Sequence, residues 1–73
     1  MPKLSVNCTF KSNKRLFKVV TMGAAKGELC WWIQEVHQVV HDRVKHIEPI
    51  SELFSRSQKE MELLVDSGTI EVL

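Results

Sequence analysis

ELCWWIQEVHQVVHDRVKHIE, residues 28–48, holds both tryptophans, all three histidines and one of the two cysteines of the 73-residue chain. At roughly 100° per residue, Leu29, Trp32, Ile33, Val36, Val40, Val44 and Ile47 fall on one stripe of a helical wheel. This spacing predicts an amphipathic helix of about five turns, with Trp32 in the core. Trp31, one position earlier, then turns onto the polar face beside Gln34, Glu35, Gln38 and Asp42. An indole on such a face is costly to leave in water, and tryptophan is enriched among binding hot spots. Trp31, Gln34, Glu35, Gln38 and Asp42 are therefore the expected contact surface for a protein partner.

Pro49 ends this helix, because proline lacks the needed donor and forces its predecessor out of the α region. It also suits the first position of a second helix, on which Ile50, Leu53, Phe54, Met61, Leu64 and Val65 form another apolar stripe. Gly68 fits a left-handed cap, and TIEVL, residues 69–73, reads as a short closing strand. On the N-terminal side, KLSVNCTF alternates Leu4, Val6, Cys8 and Phe10 against Ser5, Asn7, Thr9 and Lys11, the pattern of a half-buried strand. With Asn13 and Lys14 as the central turn residues, the returning strand LFKVVTM sets Phe10 against Phe17 and Cys8 against Val19; Asn-Lys is a weaker turn signal than Asn-Gly, so a longer loop with a shifted register is the alternative. MGAAKG then interrupts. The expected fold is α+β in the order β-β-α-α-β, a single domain over residues 1–73 with two helices packed on one face of a small antiparallel sheet.

The formal net charge of +1 conceals an asymmetry. Residues 1–27 carry six basic and no acidic side chains, whereas residues 28–73 carry four basic and nine acidic ones, a net of −5. Lys11, Lys14, Arg15 and Lys18 gather at the first hairpin, where a basic ribbon is a candidate contact for an anion or nucleic acid. No outward pair of aromatics accompanies them, so this reading rests on charge alone.

Chemistry is less visible. His37 and His41 lie four apart, a helical spacing used by zinc sites, but two further ligands are missing and Cys30 is too far along the axis. A Cys30–His37 pair lacks an orienting third group, and GAAKGE lacks the spacing of a phosphate loop. Neither an enzyme nor a cofactor is expected. No stretch has the length of a signal peptide or membrane span, which leaves a cytoplasmic protein with two free thiols as the expectation. So short a chain gains from self-association, and a histidine-lined interface would loosen as those side chains protonate. Together these features point to a small protein-binding module (an adaptor, inhibitor or regulatory partner), monomeric or homodimeric, with nucleic-acid binding as the alternative.

Overall fold

The computed structural model describes residues 3–73; residues 1 and 2 of the expected domain lie outside them. The chain folds as β1 (Thr9–Ser12), β2 (Arg15–Ala25), β3 (Glu28–His41), β4 (Val44–Pro49), β5 (Phe54–Ser57), α1 (Gln58–Asp66) and β6 (Glu71–Val72). The sheet runs β4-β3-β2-β1-β6 with every pair antiparallel, and β5 also pairs with β3. This overturns the β-β-α-α-β expectation: residues 28–48 form no helix but two strands and their turn. The second expected helix shrinks to α1, because Ile50 and Leu53 fall in a link and Phe54 belongs to β5.

Three two-residue turns build the sheet. Asn13-Lys14, Lys26-Gly27 and Asp42-Arg43 all have positive φ at both positions, from 51° to 79°. That is the backbone of the mirror-image turn whose twist matches a hairpin. The first turn lies where the sequence placed it, and Phe10 pairs with Phe17 as expected. The returning strand is longer than LFKVVTM, since it runs through Met22-Gly23-Ala24-Ala25 to the second turn. Before Thr9 the expected strand is lost to a turn. Cys8 N–H donates to the Ser5 carbonyl at 3.1 Å, Asn7 sits at φ 72°, and its N–H donates to the Val19 carbonyl at 2.8 Å. Leu4 and Cys8 still pack on the core, but Val6 is exposed.

Pairing register assigns the side chains to two faces, because residues directly opposite in a sheet point the same way. The first face carries Phe10, Phe17, Val19, Trp31, Ile33 and Phe54. Val19 and Ile33 face each other and are both fully buried. Phe10 stacks on Phe17 at 5.3 Å, and Phe17 meets Phe54 edge-on at 6.1 Å. Met61, Leu64 and Val65 of α1 lie over this face, together with Ile70. Helix α1 starts at Ser57, whose hydroxyl accepts from Glu60 N–H at 3.1 Å, as an N-cap should. It ends at Gly68, φ 78°, whose N–H donates to the Val65 carbonyl while Thr69 N–H donates to that of Leu64. This is the double-bonded glycine stop that Gly68 suggested.

β3 is long enough to span the molecule: at about 3.3 Å per residue its 14 residues reach roughly 45 Å, against a longest extent of 44 Å. The radius of gyration, 12.7 Å, exceeds the about 11 Å of a compact chain this long. The excess comes from the β3–β4 hairpin beyond Val36, which is almost wholly exposed.

Two stability predictions follow the turns and the core. Trp31→Ala empties a buried aromatic site and should cost about 3–5 kcal/mol in chemical denaturation. Lys14→Gly, which removes a side chain from a left-handed position, should raise stability by about 1 kcal/mol; an equal loss would show that the turn is not of this type.

Candidate functional site: the uncovered sheet face

Helix α1 and Ile70 pack on the first face. The core cluster and the residues packed against it draw no strand side chain from the second. That second face carries the Thr9, Lys11, Leu16, Lys18, Thr21, Gly23 and Ala25 side of β1 and β2, and Glu28, Cys30, Trp32, Gln34, Val36, Gln38, Val40, Lys45, Ile47 and Pro49 of β3 and β4. Leu16, Trp32, Val36, Ile47 and Val40 form its apolar line, which passes from the body of the sheet onto the β3–β4 arm. Val36 is buried among its neighbours, Trp32 is half-buried, and Ile47 and Val40 are open.

Trp32 is held at one end of this line. A Cβ built on Gly23 would stand 2.7 Å from its Nε1 and 3.1 Å from its Cδ1, so the indole lies against the glycine backbone on the neighbouring strand. Only glycine admits that approach, and the ring in turn shields the weak spot that a glycine makes in a strand. Cys30, on the same face and paired with Gly23, is buried.

The five residues expected to converge around Trp31 are scattered. Trp31 is 5% exposed and belongs to the core, while its strand neighbour Trp32 is the one at the surface. The polar helix face that would have joined them does not exist, because consecutive residues of a strand alternate between faces. Gln34 lies on the second face and donates from Nε2 to the Ser51 carbonyl at 2.9 Å. Glu35 lies on the first face, 3.5 Å from Arg15 Nε. Its N–H donates to the Ser51 hydroxyl at 3.0 Å, so a side chain bridges the gap between β4 and β5 along the edge of β3. Gln38 is on the exposed arm, and Asp42 is in the turn at its tip.

The basic hairpin divides as well. Lys11 and Lys18 are on the second face, Arg15 points to the first and pairs with Glu35, and Lys14 sits in the turn. Their charge is not gathered on one surface. His37 approaches Glu48 at 3.9 Å and His41 approaches Asp42 at 3.3 Å, both exposed. Both histidines lie on the first face of the arm, as does His46 opposite Val39. Among the described residues no three His, Cys, Asp or Glu side chains are placed to hold one metal ion. Cys30 and His37 lie on opposite faces and seven residues apart along β3, roughly 23 Å at strand rise, so they do not form a nucleophile pair.

Trp31 Nε1 is buried without a hydrogen-bond partner among the described residues. The Trp31 side chain borders a groove between the C-terminal end of α1 and β6, whose lining includes Leu4, Glu62, Asp66 and Ile70. No helix among the described residues is long and apolar enough to cross a membrane. No protein-family model matches this chain, and neither a curated protein nor a solved structure matches it.

The Trp32–Gly23 contact is open to a double-mutant cycle. Gly23→Ala should destabilise the fold by about 1–2 kcal/mol through the close contact, and Trp32→Ala should remove most of that penalty. Additive effects in denaturation would mean that the ring does not lie against Gly23.

Proposed function

We propose that the chain is a small protein-binding module whose interface is the second face of the sheet. The observation that supports this reading is the asymmetry of cover: one face is roofed by α1, while on the other Leu16 and Trp32 are only half-buried and Val40 and Ile47 are open, in line with the buried Val36. A half-buried tryptophan already pinned by its neighbour loses little side-chain freedom on binding, which suits an anchor. The partner's chemistry follows from the charges around the line. Lys11, Lys18 and Lys45 stand on this face with Glu28 at its far end opposite Ala25, and Lys11 is opposite Glu71. Among the described residues neither Lys18 nor Lys45 forms an ion pair. An apolar surface edged with carboxylates complements this arrangement, whereas two copies of the face would set lysine against lysine. Cys8 and Cys30 are unpaired, which suits a reducing compartment such as the cytoplasm.

The test uses immobilised chain and extract of the native host, followed by binding isotherms with whatever protein is retained. Trp32→Ala should weaken that binding by about 2 kcal/mol, roughly thirtyfold, while leaving the circular dichroism unchanged. Lys18→Glu with Lys45→Glu should slow association at low salt. The same variants are titrated with single-stranded oligonucleotides. Tight, steeply salt-dependent oligonucleotide binding that is lost with Trp32→Ala would replace this reading by the nucleic-acid one.

A further inference from the structure

We propose that two copies of the chain pair edge to edge through β2, antiparallel about Gly23, into one continuous sheet. β1 covers β2 only as far as Lys18, and the Asn7–Cys8 turn extends this to Val19. Val20 is the extra residue of a bulge, where the register against β3 shifts between Val19 and Thr21. From Thr21 to Ala25 the far side of β2 has no strand beside it among the described residues. Ladder alternation from the Ala25–Glu28 closing pair turns Thr21, Gly23 and Ala25 toward β3 and leaves Met22 and Ala24 with N–H and C=O directed outward. The Met22 carbonyl is met by the Thr21 hydroxyl at a long 3.4 Å.

The edges of β4, β5 and β6 are guarded, whereas Thr21–Ala25 of β2 and the β2-facing side of β3 beyond Val36 are not. β4 carries Lys45 and Pro49 on its edge, and Pro49 lacks an N–H. β5 is four residues long and carries Arg56, and β6 is two residues long. The free stretch TMGAA has no charge and no proline. An unguarded edge of this kind recruits another strand.

A second copy is the strand that fits. About a two-fold axis at Gly23, Met22 of each copy opposes Ala24 of the other, giving four backbone hydrogen bonds and setting large against small on the first face. Met22, 40% exposed, and Leu29, 52% exposed opposite Ala24, then gain apolar neighbours across the axis. No like charges meet along the stretch. An edge contact of this length falls below the about 1,200 Å² of standard interfaces, so the dimer is weak and depends on concentration. The axis is normal to the sheet and keeps each face on its own side. The two uncovered faces then form one surface with two Trp32 anchors.

Sedimentation equilibrium of the full chain, from micromolar to millimolar concentration, tests this. The mass should rise from 8.4 kDa toward twice that value. Ala24→Pro removes an outward N–H without touching the β2–β3 ladder and should hold the mass at 8.4 kDa with an unchanged denaturation midpoint. Met22→Lys, which places a charge on the edge, should do the same and decides the matter should the proline variant misfold. Trp32→Ala should leave the dimer intact. A single-chain mass at every concentration would overturn the proposal, as would a dimer that survives both edge variants.

Discussion

Val19 and Ile33, opposite each other on β2 and β3 and both fully buried, fix the register on which the rest of the molecule depends. A slip of one residue in this pair would exchange the two faces of the sheet. Trp31 would leave the core, Trp32 would enter it, and α1 would lie over lysines and glutamines. The bulge at Val20 follows immediately, so the pair also sets where the regular ladder stops and where the free stretch of β2 begins. Cover from α1 and the segment after it reinforces the pair, because Met61 and Ile70 join the same buried cluster.

The hairpin of β1 and β2 was legible because its alternation is one-sided. Phe10 and Phe17 face the core while Lys11 and Lys18 face out, and the Asn13-Lys14 turn joins them in a register that keeps this. Gly68 and the closing strand were legible for a similar reason, since a glycine stop and a β-rich tail are local signals. The stretch 28–48 misled because β3 is a central strand with apolar residues on both faces. Cys30, Trp31, Trp32 and Ile33 follow one another without alternation. The helical stripe is a coincidence drawn from the two faces: Leu29, Ile33 and Val44 come from the first, Trp32, Val36, Val40 and Ile47 from the second. The contrary signal was in the composition. Six β-branched residues and no alanine fill those 21 positions, which favours strand over helix.

The candidate site inherits that error and its correction. Trp31, expected at the surface, is core, and Trp32, expected in the core, is half-buried on the other face, because a strand sends neighbours to opposite sides. Which one is surface depended on the secondary structure. The same alternation splits Gln34 from Glu35 and Arg15 from Lys18, so the charge asymmetry between the two halves of the chain does not become a basic patch. What remains is a small sheet with one roof, an apolar line on its open side and lysines beside that line. In a chain of this size, little core is available to cover a second face.

Cross-strand proton contacts in a backbone NMR spectrum test the central claim most directly. If β3 lies against β2 as described, Hα of Val19 and Hα of Ile33 give a strong contact, as do those of Phe17 and Glu35. A run of sequential amide–amide contacts through residues 28–48, with i to i+3 contacts between Trp32 and Glu35, would instead establish a helix and contradict the account.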